Sequence, residues 1–143
     1  MGDVMPTDRA PDIRVVAMPC DTNGLGDIFG GWLMSQVDIA GSIQAVRRAN
    51  GRVVTVAVNE FRFLRPVFVG DLVSLFAEVQ SVGNTSIRIT IAGFAERERS
   101  IHQCDRVCEA ELTYVAIDAQ RQPRSVPPLQ GNVQAGSSPN NST

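Results

Sequence analysis

The sequence predicts a single α+β domain in which one long helix packs against a curved antiparallel sheet of about five strands. Residues 30–50 have the apolar spacing of a helix, whereas the segments after Gly51 are rich in β-branched and aromatic residues. Short turns separate consecutive strands, which is typical of hairpins and therefore of antiparallel pairing. A chain of 143 residues is long enough to bury one hydrophobic core of this kind.

The helix is predicted over residues 30–50. Apolar residues recur on two faces of it, Leu33, Val37, Ala40 and Gly41 on one and Trp32, Ile39, Ile43 and Val46 on another. A helix that is apolar nearly all round is predicted to be buried on all sides. Arg47 and Arg48 suit the negative end of the helix dipole, and Asn50-Gly51 supplies the stop signal.

The five predicted strands cover residues 13–18, 52–64, 71–82, 85–96 and 105–118. Gly83-Asn84 suits a tight hairpin turn between the third and fourth of them. In the last strand, alternate residues are predicted to face inward, from Cys108 to Ala116. Such a sheet curves around the helix and leaves two open edges. Pairing edge to edge in a dimer is one way to cover them.

The folded domain is predicted to span residues 13–118. Residues 1–12 form a polar, proline-containing lead-in. From Ala119 onward Gln, Pro, Ser, Asn and Gly dominate, a composition that buries little apolar surface. Residues 119–143 are therefore predicted to form a mobile, low-complexity tail.

Composition narrows the class of protein. A net charge of −2 gives no electrostatic reason to expect a nucleic-acid partner or an anionic membrane surface. The N-terminal residues lack the features of an export signal, and no run approaches the ~18 apolar residues of a membrane span. We therefore expect a cytoplasmic protein with reduced thiols. Cys104 and Cys108 have neither a redox nor a zinc spacing; on a regular strand they share a face, which predicts a core role and no metal site.

A candidate active site lies in the stretch "DTNGLGDIFGGWLMSQVD", residues 21–38. Asp38 follows Val37 in the middle of the predicted buried helix, and small or hydroxyl-bearing residues share its face, namely Gly31, Ser35, Gly41 and Ser42. Asp is rarely buried without a function or a partner, although an exposed Asp on a loosely packed helix remains the alternative. A row of small side chains along one helix face permits close approach of a thin substrate or of another backbone.

The loop before the helix has both a structural and a chemical interpretation. Asn23 and its neighbours are typical of an Asx turn, and Asp27 is a candidate N-cap. The first free N–H groups of the helix, at Gly30 and Gly31, also form a potential oxyanion site. An amide, backbone donors and a carboxylate suffice for attack of water on an activated acyl group. Spacing alone does not distinguish these interpretations.

The residues themselves resemble a known family. "MPCDTNGLGDIFGGWLMSQVDIAG", followed by "GRVVTVAVNEFRFLRPVFVGD", "NTSIRI" and "YVAIDAQRQPR", is similar to bacterial acyl-CoA thioesterases of the YciA type. The resemblance covers residues 13–127 and implies a hotdog fold that hydrolyses fatty acyl-CoA to free fatty acid and CoA without a cofactor. It also implies that Asp38 and Asn23 meet from opposite subunits of a homodimer, and that three dimers form a homohexamer. Cys20 and Leu25 depart from the usual pattern, which puts the preferred acyl length in doubt.

The phosphates of CoA require cations and polar donors. The candidates are the strand and hairpin residues Arg62, Arg65, Thr85, Ser86 and Arg88, although exposed arginines on strands are commonly just solvated. By resemblance only, Val54 and Thr55 border the channel for the pantetheine arm of CoA.

The predicted mechanism uses Asp38 as a general base for water or as a nucleophile that forms a mixed anhydride, and both routes remain open. Backbone amides at Gly30 and Gly31 polarise the carbonyl, and Asn23 orients the water or the carbonyl. Two other functions are alternatives to hydrolysis. A hotdog hydratase needs an Asp–His pair, but the single histidine, His102, lies in a charged loop and is expected to be inert. A non-catalytic acyl-CoA sensor is expected to carry a DNA-binding domain, for which this sequence shows no segment.

Overall fold

The computed structural model describes residues 3–100 and 102–129, and it contains one helix packed on one face of a five-stranded antiparallel sheet. The elements are β1 (Ile13–Val16), α1 (Gly30–Ala49), β2 (Val53–Phe63), β3 (Leu72–Val82), β4 (Ser86–Glu96) and β5 (Cys104–Ala116). The strand order is β1-β3-β4-β5-β2, and every neighbouring pair is antiparallel. The predicted fold class is confirmed. No helix in the described residues is long and apolar enough to cross a membrane.

The helix α1 buries one face and exposes another. Leu33, Val37 and Ala40 are buried against the sheet. Met34, Ile39 and Val46 keep 37%, 48% and 43% of their surface exposed. The prediction that this helix is buried on all sides is therefore wrong for a single chain, because the sheet covers one face of α1 and does not wrap around it. The C-terminus follows the sequence signal, since Asn50 adopts a left-handed conformation with φ 53°.

The core lies between α1 and the inner face of the sheet. On β4, Ile87, Ile89 and Ile91 are at most 2% exposed, as the predicted alternation requires. Leu112 and Tyr114 of β5 lie beside them and are also fully or almost fully buried. The central strands thus carry the hydrophobic core, and they fix which residues of the edge strand β2 face the helix.

A β-bulge separates the two cysteines of β5. Cys108 pairs with Gly93 and Arg106 pairs with Phe94, so Val107 is the extra residue. This inserted residue reverses the alternation, and Cys104 joins a second apolar cluster with Phe94, apart from the main core that contains Cys108. The prediction that both cysteines share a face is therefore wrong. Burial raises the pKa of the Cys108 thiol to about 12, so it stays protonated near neutral pH.

The segment after β5 is docked as far as the structure describes it. Arg124 donates from Nη2 to the carbonyl oxygen of Ala49 at 2.8 Å and from Nε to that of Ile117 at 3.2 Å. The amide of Val126 donates to the carbonyl of Asn84, and its side chain packs on the core. The predicted tail boundary at residue 119 therefore does not describe residues 119–129. The remaining predicted tail, 130–143, lies outside the described residues.

Replacing Arg124 by alanine is expected to lower the free energy of unfolding by about 2 kcal/mol, since the carbonyl of Ala49 loses a charged donor. Glycine at position 51 leaves room for this guanidinium, because a β-carbon there would clash with Nη2 of Arg124. Urea unfolding followed by circular dichroism measures the loss. Arg52→Ala, which removes an exposed arginine beside the same turn, is the matched control. Equal stability of both variants would contradict a structural role for residues 119–129.

Candidate active site

A carboxylate and two hydroxyl groups meet at the middle of α1. Thr55 donates from Oγ1 to Oδ1 of Asp38 at 2.7 Å. The hydroxyl of Tyr114 lies 2.7 Å from the carbonyl oxygen of Asp38 and 3.1 Å from the same Oδ1. These distances are those of hydrogen bonds, and both hydroxyls act as donors because a carboxylate only accepts. Of the two carboxylate oxygens, Oδ1 is thus the one that the protein holds.

The sheet register creates this cluster. Thr55 of β2 and Tyr114 of β5 are directly opposite one another in the antiparallel pairing. Both side chains point toward α1, where the helix places Asp38 above them. Cross-strand partners lie within about 5.5 Å of one another, so two neighbouring strands deliver two donors to one oxygen. This arrangement cannot be read from the sequence, because the three residues lie on three different elements that are far apart along the chain.

Tyr114 has no exposed surface. Because the core holds its ring in place, the hydroxyl group in turn restricts the position of Asp38. Burial, with a further contribution from the adjacent carboxylate of Asp38, raises the pKa of Tyr114 well above its ordinary value. The hydroxyl therefore stays protonated, and remains a donor, far above neutral pH. The sequence predicted Tyr114 as an inward-facing core residue and missed its contact with Asp38.

Asp38 lies at the margin of the helix face that packs on the sheet, where its carboxylate reaches Thr55 and Tyr114. It is half-buried, and the neighbouring residues Met34, Ser35 and Ile39 are exposed. Its Oδ2 has no hydrogen-bond partner among residues 3–100 and 102–129. Gly41, which was predicted to admit a substrate or a backbone, instead admits the phenol of Tyr114. One carboxylate oxygen is therefore held by the sheet, and the other has no partner among the described residues.

Asn23 lies at the tip of the loop that precedes α1. Its Oδ1 accepts from the amide of Leu25 at 2.8 Å, which is the Asx turn that the sequence allowed. Gly24 and Gly26 flank this tip at φ values of 90° and 101°, which favour glycine. Asn23 is exposed, and within the described chain its side chain makes no hydrogen bond to Asp38. A single subunit thus does not join the two predicted catalytic residues.

The helix begins without a side-chain cap. Its N-cap residue is Phe29, so Asp27 does not fill the predicted capping role. The amides of Trp32 and Leu33 donate to the carbonyl of Phe29. In the described part of the chain, no acceptor outside the helix takes the N–H groups of Gly30 or Gly31. Free N–H groups at a helix N-terminus attract negative charge, as the predicted oxyanion site requires.

The predicted CoA-binding residues do not form one cluster. Arg62 pairs in register with Glu109, and Arg88 of β4 lies on the outer face, opposite the isoleucines of the core. The arginines contact carboxylates of their own chain, Arg62 with Glu60 and Glu109, Arg65 with Asp3, and Arg88 with Glu111. Thr85 and Ser86 lie at the β3–β4 hairpin, and Val54 pairs with Val115. Only Thr55 of this set contacts Asp38, through a carboxylate contact that was not predicted.

Two further features bear on the alternatives. His102 is exposed in the turn before β5, where its amide donates to Ser100, and no described hydrogen bond links it to Asp38. Among the described residues, no group of three His, Cys, Asp or Glu side chains lies close enough to hold a metal ion. The groups that the structure places around Asp38 are its own carboxylate and the hydroxyls of Thr55 and Tyr114.

Known proteins are similar to this chain in sequence, and solved structures are similar to it in fold. The sequence model of the Thioesterase superfamily matches residues 25–102. The acyl-CoA thioester hydrolase YciA of Escherichia coli (strain K12) is 50% identical over 117 residues, which cover 80% of this chain and 89% of that protein. A crystal structure of a hexameric thioesterase from Yersinia pestis is 47% identical with a TM-score of 0.80, covering 86% of this chain and 99% of that one.

A crystal structure described as a hexameric hotdog fold thioesterase of Campylobacter jejuni is 39% identical, with a TM-score of 0.78 over 83% of this chain and 91% of that chain. The long helix on a five-stranded antiparallel sheet therefore defines a hotdog-fold protein. More specifically, the chain belongs to the Thioesterase superfamily.

Proposed function

We propose that this protein is an acyl-CoA thioesterase that hydrolyses fatty acyl-CoA to free fatty acid and CoA, with Asp38 as its general base or nucleophile. The observation that carries this proposal is the half-buried carboxylate of Asp38, held through Oδ1 by Thr55 and Tyr114 and without a described partner at Oδ2. The relatives named above act as thioesterases, and the one from Escherichia coli is named for acyl-CoA. A carboxylate with backbone donors is sufficient for this chemistry because a thiolate is a good leaving group.

In the general-base route, Oδ2 of Asp38 takes a proton from water while the water oxygen bonds to the thioester carbon. Negative charge develops on the carbonyl oxygen, and the N–H groups of Gly30 and Gly31 stabilise it. When the carbon–sulfur bond breaks, the CoA thiolate leaves and takes up the proton from Asp38. In the nucleophilic route, Oδ2 bonds to the carbon as the carbon–sulfur bond breaks, which gives a mixed anhydride and the CoA thiolate. Water then cleaves the anhydride to fatty acid and the Asp38 carboxylate, and the proton released protonates the thiolate. Both routes use the same oxygen.

The helix N-terminus is suited to a ligand that approaches closely. A β-carbon added at Gly30 would make an ordinary contact with the Phe63 ring, and one at Gly31 would make an ordinary contact with Phe29. Neither glycine has a left-handed backbone conformation. The packing of this chain therefore gives no strong reason for glycine at either position, whereas close approach of a thioester carbonyl does.

We further propose that the working site is shared between two subunits, with Asn23 of one chain beside Asp38 of the other. Exposed apolar residues on the open helix face and on the edge strand β2, such as Ile39, Val56 and Val58, support such an interface. The related thioesterases from Yersinia pestis and Campylobacter jejuni are hexameric. A homohexamer made of three dimers is accordingly the assembly we propose for this chain.

The residues predicted to bind the phosphates of CoA remain proposals, and the structure supports some of them better than others. Arg65 lines a cleft with Gly30 and Leu33, which places it near the helix N-terminus. Arg62 and Arg88 lie on the outer face of the sheet, so they can serve only a CoA that passes around the sheet edge or reaches over from another subunit. We therefore favour Arg65 over the other two as a CoA ligand.

Incubation of the purified protein with acetyl-CoA and palmitoyl-CoA tests the activity. We expect catalytic loss of the thioester absorbance and release of acid and CoA in equal amounts. Cys20 is an exposed thiol, so a thiol-reagent assay requires the Cys20→Ser variant to remove background reaction. Stoichiometric binding of acyl-CoA without turnover would favour a sensor, and addition of water to an enoyl-CoA without release of CoA would favour a hydratase. Either result would refute the proposed hydrolysis.

A further inference from the structure

We propose that Tyr114 is a positioning residue for Asp38, and that together with Thr55 it holds one carboxylate oxygen and leaves the other, Oδ2, to react. This inference rests on the proposed role of Asp38. A free carboxylate can rotate about its Cβ–Cγ bond and exchange its two oxygens. Here two donors from adjacent strands converge on Oδ1, at 2.7 Å from Thr55 and 3.1 Å from Tyr114. Any orientation other than this one or its half-turn equivalent would break these contacts, so one oxygen stays held by the sheet and the other stays available to react.

Tyr114 does more than extend the contact made by Thr55. Its hydroxyl has one proton and two acceptors within hydrogen-bond distance, the backbone carbonyl oxygen of Asp38 at 2.7 Å and Oδ1 of the same residue at 3.1 Å. The hydroxyl thereby ties the side chain of Asp38 to its own helical backbone. Thr55, on the exposed edge strand β2, provides no such second anchor. The buried member of the pair is thus the one that fixes the carboxylate relative to the helix.

Gly41 gives independent support. A β-carbon at this position would clash with the Tyr114 hydroxyl oxygen and would come within 3.0 Å of Cζ. The φ of Gly41 is not positive, so its backbone conformation does not require glycine. Glycine inside a helix is less favourable than alanine by roughly 0.5–1 kcal/mol. The room that Gly41 leaves admits the phenol oxygen to the level of Asp38.

A phenylalanine at position 114 would fill the same core volume, so packing alone does not account for the hydroxyl. Buried tyrosine hydroxyls need a partner, and within the described residues both acceptors of this one belong to Asp38. Tyr114→Phe is therefore expected to lower kcat by about 10- to 100-fold, the range expected from misplacing a catalytic group, with little change in KM. Steady-state kinetics on one acyl-CoA measures this split.

The double variant Asp38→Asn/Tyr114→Phe tests whether Tyr114 acts through Asp38. If it does, adding Tyr114→Phe to Asp38→Asn causes no further loss of kcat. A multiplicative loss would overturn the positioning role, as would a Tyr114→Phe enzyme that folds and keeps its full kcat. If Asp38→Asn itself keeps full activity, it is the proposed function that fails, and the contact is then tested by spectroscopy alone.

Tyr114 is the only tyrosine in the chain, which gives a measurement independent of turnover. Protein labelled with 3-fluorotyrosine carries one fluorine signal, and Asp38→Asn is expected to shift it because the charge beside the phenol is removed. Glu78→Gln, a charge change at an exposed site on β3, is expected to leave the signal in place. An unshifted signal in Asp38→Asn would overturn the proposal, even if Tyr114→Phe failed to fold.

Discussion

Asp38→Asn is expected to lower kcat by about 100-fold or more, because general bases and nucleophiles typically contribute at least that factor. Asparagine keeps the shape of the side chain and can still accept from Thr55 and Tyr114, but it neither takes a proton from water nor attacks a thioester. The free energy of unfolding is expected to change by only about 1 kcal/mol, since the Oδ1 contacts survive. Kinetics with palmitoyl-CoA and urea unfolding of the same preparation separate the two effects.

The matched control for this variant is Asp27→Asn. Asp27 is an exposed acid shortly before the same helix, and its side chain makes no hydrogen bond within the described residues. The control therefore removes one negative charge near the helix N-terminus while leaving the contacts of Asp38 intact. We expect it to retain most of its activity. An Asp38→Asn enzyme as active as Asp27→Asn would show that Asp38 is not the reacting group.

The order and ends of the elements were predictable because local residues determine them. Asn50 and Gly51 end the helix wherever the rest of the chain lies, and β-branched runs between turn residues specify the strands. The predicted boundaries of α1, β2, β3, β4 and β5 accordingly lie within two residues of those in the structure. The inward alternation of β4 follows equally from its own sequence.

Features that depend on another element were not predictable in this way. The apolar pattern of α1 predicts that two faces of the helix are buried. It does not predict that the sheet of the same chain covers only one of these faces. The bulge at Val107 has no local signal, and it moves Cys104 to the other face. The order of residues 119–129 depends on Arg124, whose acceptors are carbonyls at the far end of α1 and after β5. The prediction of a mobile tail from residue 119 rested on the low content of apolar residues, which does not reflect hydrogen bonds such as those of Arg124.

The same difference between local and long-range information applies to the residues of the candidate site. Asp38 was predicted from local sequence alone, because a carboxylate is unusual among the apolar residues of a buried helix. Tyr114 was missed because its hydroxyl reaches Asp38 only through the register between β2 and β5, which places it opposite Thr55. A useful signal was nevertheless present in Gly41, a glycine inside a helix with no turn to form. The role of Asn23 depends on a second subunit and stays a prediction.

Mixing two inactive variants is expected to restore about a quarter of wild-type activity if the site is shared between subunits. Asn23→Ala and Asp38→Ala each remove one member from every site of their own homodimer. After equal amounts are unfolded together and refolded, about half of the dimers contain one subunit of each kind. In such a dimer one site carries both mutations and the other carries neither, as two-fold symmetry requires. Turnover of palmitoyl-CoA by the refolded mixture measures the recovered fraction.

Each variant refolded alone gives the background, and wild-type protein refolded alone gives the reference for yield. Native mass spectrometry of the mixture shows whether mixed dimers have formed. In this chain the Asn23 side chain is exposed and bonded only within its own Asx turn, while the Asp38 carboxylate is hydrogen-bonded to Thr55 and Tyr114 of the sheet. A second subunit is therefore needed to bring them together. If mixed dimers form and the activity stays at background, every site still contains a mutation, and the active site lies within one subunit.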